Sequence, residues 1–163
     1  MDNRILSLKN FLDASVSVYH AVEELRKVLD NAGYTRLQEN ETWNLVPGGK
    51  YYLTRGGAAI LAFRVPQGNP KGFMLTASHA DRPCFKVKEN GELKNAYTRL
   101  AVERYGGMLI APWLDRPLSI AGRVLVETDK GMETKLIDID RDLLLIPNVA
   151  IHMNRKANDG YTF

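Results

Sequence analysis

The chain has 163 residues, 45% of them hydrophobic and 25% charged, which is typical of a globular protein and argues against intrinsic disorder. Its 22 basic and 19 acidic residues are interspersed and give a net charge of only +3, so neither a nucleic-acid partner nor a strongly charged tail is indicated. The single cysteine, Cys84, excludes an internal disulfide. No apolar run approaches the roughly 20 residues of a membrane-spanning helix. We therefore expect a soluble cytoplasmic protein without a membrane partner.

The first third of the chain predicts helices followed by a hairpin. Residues 3–32 have a helical pattern, with Ser17 at a capping position and Gly33 where a helix commonly ends. The apolar face of this stretch comprises Val18, Ala21, Val22, Leu25, Leu29 and Ala32. Tyr51–Thr54 and Ala58–Val65 then predict two strands joined by a glycine turn.

A nearly continuous apolar run, Gly72–Ala77, predicts a strand buried on both faces in the middle of an α/β sheet. Ligands bind beyond the carboxyl ends of such strands. Ser78, His79 and Asp81 follow this run directly. The sequence therefore places its candidate site at this edge of the sheet.

The residue pattern changes near residue 88, where short strand-like segments begin to alternate with turns. These segments include Leu118–Glu127, Glu133–Ile139 and Val149–Met153. We therefore predict an α/β domain over residues 1–87, followed by a mostly β unit over residues 88–163.

The three histidines, His20, His79 and His152, are too far apart for a local zinc motif, so a metal site would have to be assembled across the fold. His79 is the strongest candidate because Asp81 stands two residues on, where a carboxylate can orient the imidazole and fix its tautomer. Spacing alone leaves open a structural histidine at a strand end. His152, on the predicted strand Val149–Met153, and His20 are by themselves more typical of structural histidines.

Asp115 also has two alternative interpretations. Asp115, in the segment Trp113-Leu114-Asp115-Arg116, has the chemistry of a ligand or a nucleophile. An ion pair with a neighbouring or facing arginine is the commoner role for an aspartate in a β unit.

Several segments, in order along almost the whole chain, resemble the aspartyl aminopeptidase family of cytosolic dinuclear zinc peptidases. Residues 78–88, SHADRPCFKVK, are similar to that family's SHTDSPCLKVK, and residues 102–107, VERYGG, to its VExYGG. Residues 113–124, WLDRPLSIAGRV, resemble WLDRDLSxAGRV, and residues 146–155, IPNVAIHMNR, resemble IPxLAIHxxR. Ala80 and Arg82 depart from the family's Thr and Ser, and Arg82 would bring a charge close to the site.

The resemblance implies a specific function. Residues 1–87 would begin a zinc-peptidase α/β sandwich, and residues 88–163 would begin an inserted β-rich oligomerisation domain, both incomplete. His79 would ligate zinc and Asp81 would orient it as a catalytic residue. His152 would either ligate metal or reach a neighbouring subunit's active site, and Asp115 and Arg116 would be structural. The family assembles into homo-oligomers, binds two zinc ions per site and removes N-terminal acidic residues from peptides.

The chain is also short for that family, whose members are more than twice as long. The bridging carboxylate, the general base and the other ligands would lie beyond residue 163. We therefore expect the N-terminal portion of a zinc aminopeptidase, inactive as an isolated chain. The alternative is a non-catalytic assembly module that retains the oligomerisation domain.

Overall fold

The computed structural model describes residues 2–94 and 96–159, which form two compact units. The first unit comprises Met1–Arg82 and Ala121–Asp138, and the second comprises Pro83–Ile120 and Ile139–Phe163. Both helices and strands are present, so the predicted mixture of helix and strand is confirmed. In the described part of the chain, no helix is long and apolar enough to cross a membrane.

The first unit begins with two helices, α1 (Asn3–Ala14) and α2 (Val18–Asn31). Ser17 caps α2 as predicted, its side chain accepting a hydrogen bond from the backbone N–H of His20. Gly33 follows α2 with a φ of 75°, and the next residue's N–H bonds back to the carbonyl of Leu29. This is the left-handed helix end that glycine permits at low cost.

A three-stranded sheet follows, with β1 (Thr35–Arg36) parallel to β2 (Lys50–Arg55) and β3 (Ala59–Arg64) antiparallel to β2. The β2–β3 pair is the predicted hairpin. Its turn contains two glycines at positive φ, Gly56 and Gly57. The sheet packs with α2 around a small core whose described buried residues are Ser15, Ala21, Val22, Tyr51 and Tyr52. Tyr52 is completely buried.

A second hairpin, β6 (Ala121–Thr128) with β7 (Gly131–Asp138), also belongs to the first unit. The guanidinium of Arg123 on β6 donates a hydrogen bond to the carbonyl of Gly56. The compact units thus divide after Arg82 and take in this hairpin, whereas the sequence suggested one division near residue 88. The catalytic and oligomerisation roles given to the two domains stay predictions.

The second unit is built on the antiparallel pair β4 (Cys84–Leu93) and β5 (Arg99–Tyr105). A short 3-10 helix, Ala111–Trp113, brings the Trp113 ring edge-on to Phe85 with centroids 5.2 Å apart. Leu118 and Leu144 form an isolated bridge that ties the two stretches of this unit together.

Two predicted strands are wrong. Gly72–Ala77 has no regular structure, and Phe73, Met74 and Leu75 are 98%, 104% and 83% exposed. A strand buried on both faces requires paired neighbours and covering layers, and the described residues supply neither to this run. Val149–Met153 ends in a turn, with the N–H of Met153 bonded to the carbonyl of Ala150 at 2.8 Å, so this segment offers no extended backbone for a sheet.

Candidate metal-binding segment

His79 and Asp81 lie close together on the irregular segment between β3 and β4. The Nδ1 atom of His79 is 3.0 Å from Oδ1 of Asp81. A carboxylate only accepts hydrogen bonds, so in the neutral ring Nδ1 carries the proton and the lone pair is on Nε2. The His79 side chain is 93% exposed and that of Asp81 31%. The pair thus has the arrangement of a metal-binding histidine oriented by a carboxylate.

Arg82 anchors the end of this segment to the junction of α1 and α2. Its guanidinium donates to the carbonyls of Ser15, at 2.9 Å, and Val16, at 2.6 Å. The last carbonyls of a helix lack partners within the helix, and a cation near them is favourable. The sequence suggested that Arg82 adds a charge beside the site. In the structure the guanidinium group of Arg82 is hydrogen-bonded to the carbonyls that follow α1.

The structural role of Arg82 was missed by the sequence reasoning. Its acceptors lie 66 and 67 positions earlier in the chain, beyond the reach of any local pattern. The only available signal was its departure from the family motif.

His152 lies in the second unit, exposed, in a turn. Among residues 2–94 and 96–159, no group of three or more His, Cys, Asp or Glu side chains is arranged to hold a metal ion. Catalytic zinc has about three protein ligands. His79 and Asp81 therefore fit one ligand and its orienting carboxylate, and the described residues do not form a complete zinc site.

The other candidates have structural contacts. Asp115 adopts a positive φ of 53°, and its carboxylate accepts the backbone N–H of Asn148 at 2.8 Å. It forms no ion pair with another described residue, and Arg116 donates instead to the carbonyl of Pro112. His20 contacts its own helix cap, with Nδ1 2.8 Å from Oγ of Ser17.

Comparison with known proteins gives a consistent result. Residues 11–163 match the family described as aminopeptidase I zinc metalloprotease (M18). A "Probable M18 family aminopeptidase 2" of Pseudomonas paraeruginosa is 44% identical over 157 residues, which cover 94% of this chain and 37% of that protein. The chain thus spans little more than a third of the length of such relatives.

Solved structures agree with the sequence relatives. The chain resembles a chain of the Ape4 and Nbr1 complex with a TM-score of 0.86 and 37% identity, covering 97% of this chain and 31% of that one. It resembles the mApe1 dodecamer of S. cerevisiae with a TM-score of 0.83 and 29% identity, covering 92% and 36%.

Proposed function

This chain belongs to the aminopeptidase I zinc metalloprotease (M18) family, and we propose that it contributes His79 as a zinc ligand to an aminopeptidase. The match over residues 11–163 confirms the family resemblance drawn from the sequence motifs. One observation carries the proposal beyond the family: the 3.0 Å contact between His79 and Asp81 on an exposed loop.

The chemistry of the pair supports this role. A zinc ligand must be a neutral imidazole held in one orientation, and Asp81 supplies both conditions by accepting the Nδ1–H of His79. The exposure of the ring leaves Nε2 accessible to an ion. Asp81 then acts as a positioning group that raises the basicity of its histidine.

A zinc ion held by His79 and further ligands would supply Lewis-acid chemistry, polarising a scissile carbonyl and lowering the pKa of a bound water. His79, oriented by Asp81, would hold such an ion, and neither residue is proposed as the general base. We propose that the whole protein binds two zinc ions and takes its remaining ligands and its base from regions that this chain does not cover. The 163-residue chain alone is then inactive.

His152 retains both of its proposed roles, as a metal ligand or as a group that reaches a neighbouring subunit's active site. Its exposed position in the second unit supports the second role. The structural relative mApe1 of S. cerevisiae is described as a dodecamer. We propose a cytoplasmic homo-oligomer here too, assembled through the second unit.

The proposed substrates are peptides with an N-terminal acidic residue. The test compares hydrolysis by the whole protein of four peptides that differ only in starting with Asp, Glu, Leu or Lys. We expect kcat/KM to be at least about tenfold higher for the Asp or Glu peptides. An equal kcat/KM for the Leu peptide would contradict the proposed specificity for acidic residues. Hydrolysis of any of the peptides by the 163-residue chain would contradict its proposed inactivity.

The second candidate is a non-catalytic assembly module, which agrees equally with the lack of a group of three potential ligands among the described residues. Gel filtration with light scattering, combined with zinc analysis of the whole protein, separates the two. A zinc-free oligomer without hydrolytic activity supports the module, and a zinc-loaded active oligomer supports the aminopeptidase.

A further inference from the structure

The first unit contains a cleft of about 340 Å³ between α2, the β1–β2 strands and the β6–β7 hairpin. Its volume lies in the range of small-molecule sites, roughly 300–1,000 Å³. Three arginines line it, Arg26, Arg36 and Arg123, against a single carboxylate, Glu23. The lining includes no residue of the segment that carries His79, so the cleft is independent of the proposed metal ligand.

Glu23 is fully engaged by Arg26. The guanidinium donates to both carboxylate oxygens, at 2.9 Å from Nε and 2.6 Å from Nη2. This hydrogen bonding with Arg26, together with the charges of nearby basic groups, lowers the pKa of Glu23 below its ordinary value. The carboxylate is therefore charged at neutral pH, and its hydrogen-bonded partner is Arg26, which also lies 3.9 Å from a carboxylate oxygen of Asp30.

Arg36 and Arg123 lack a hydrogen-bonded carboxylate partner among the described residues, although the charge of Arg36 also acts on Glu23 and contributes to lowering its pKa. Arg36 donates one long bond, 3.3 Å, to Oγ1 of Thr54. Arg123 donates to the carbonyl of Gly56 and stacks with its guanidinium carbon 4.6 Å from the centre of the Tyr19 ring. Within the described ranges, neither arginine forms an ion pair with a carboxylate.

The geometry suits an anion. A guanidinium presents a planar fork of donors that matches carboxylate or phosphate oxygens, and stacking on an aromatic ring holds that fork in place. Thr54 and Thr134 also line the cleft. A ligand bearing negatively charged oxygens would therefore pair with the guanidinium groups of Arg36 and Arg123, neither of which is hydrogen-bonded to a described carboxylate.

We infer that this cleft is a binding site for a small oxyanion ligand, carboxylate or phosphate, held between Arg36 and Arg123. The site lies outside the metal-binding segment and does not depend on the aminopeptidase proposal. An anion bound there bridges α2, the three-stranded sheet and the β6–β7 hairpin, all within the first unit.

Titration calorimetry of the 163-residue chain, with inorganic phosphate in one arm and succinate in the other, tests the site and identifies the preferred oxyanion. We expect saturable 1:1 binding of at least one probe. Arg36→Gln removes the charged guanidinium group and should raise the Kd about tenfold or more. Arg36→Lys keeps a positive charge and should raise the Kd less. Arg64→Gln is the matched control, because it removes the same charge from the exposed end of β3, outside the cleft.

Folding is checked separately by urea unfolding. Among the described residues the side chain of Arg36 makes one hydrogen bond, the 3.3 Å bond to Thr54, so Arg36→Gln should unfold at nearly the parent midpoint. Arg123→Gln is the second variant and should also lose binding. Absence of saturation with both probes, equal weakening by Arg64→Gln, or full binding by a folded Arg123→Gln would each overturn the inference.

Discussion

Replacing Tyr52 with phenylalanine removes one hydroxyl from the most deeply buried large side chain described in the first unit. Tyr52 is 0% exposed, and its hydroxyl donates a 2.7 Å hydrogen bond to Oδ1 of Asp30 at the end of α2. A hydrogen bond to a charged group contributes about 1.5–3 kcal/mol. The Asp30 side chain is 45% exposed and can be rehydrated, so we expect the lower end, a loss of about 1.5 kcal/mol in the free energy of unfolding.

Urea denaturation followed by tryptophan fluorescence and circular dichroism measures this loss, with an unchanged m-value showing that the folded state is intact. Tyr52→Ala also removes the ring and should cost about 3–5 kcal/mol. A double-mutant cycle with Asp30→Ala isolates the pair, because the two changes should then be non-additive. A free energy of unfolding of Tyr52→Phe within about 0.5 kcal/mol of the parent value would refute the stabilising role of this hydrogen bond.

Three further predictions concern the same unit. Burial, and then the bond to Asp30, raises the pKa of Tyr52 above its ordinary value of 10.0. The stabilising contribution of the neutral Tyr52 side chain is therefore complete below the pKa of tyrosine in the unfolded chain. It is lost as the pH rises through the pKa of Tyr52 in the folded chain. Urea midpoints at neutral and alkaline pH should therefore fall less for Tyr52→Phe than for the parent; an equal fall would contradict this. Arg82→Ala should cost about 1 kcal/mol by removing the two hydrogen bonds to the carbonyls of Ser15 and Val16, and it should speed hydrogen exchange of residues 78–82 while Arg82→Lys does so less; unchanged exchange would exclude an anchoring role. Ser17→Ala removes the α2 cap and should cost about 1 kcal/mol, with Ser17→Asp restoring most of it; no difference between the two variants in thermal unfolding would argue against the cap.

Local signals predicted the local structure. Ser17 marks the start of α2 and Gly33 follows its end. Both positions could be predicted, because a helix cap and a left-handed helix end depend only on neighbouring residues. The β2–β3 hairpin was predictable for the same reason, from two strand-like runs and a pair of glycines. The contact between His79 and Asp81 was also within reach, since only one residue separates them.

The errors arise where structure depends on distant partners. The apolar run at residues 72–77 reads as a buried strand, but burial requires other strands beside it, which the described residues do not supply. Two features that no prediction covered, the anchoring of Arg82 and the grouping of the β6–β7 hairpin with the first unit, join residues 66 or more positions apart. Hydrophobic periodicity carries no information about such pairings.

The central claim is that His79 ligates zinc in an aminopeptidase. The most direct test is the zinc content of the whole purified protein by mass spectrometry, compared between the parent, His79→Ala and the control His20→Gln, which changes a histidine that contacts its own helix cap. We predict that His79→Ala loses at least one equivalent of zinc together with peptidase activity, while His20→Gln retains both. Full zinc content and activity in His79→Ala would contradict the account.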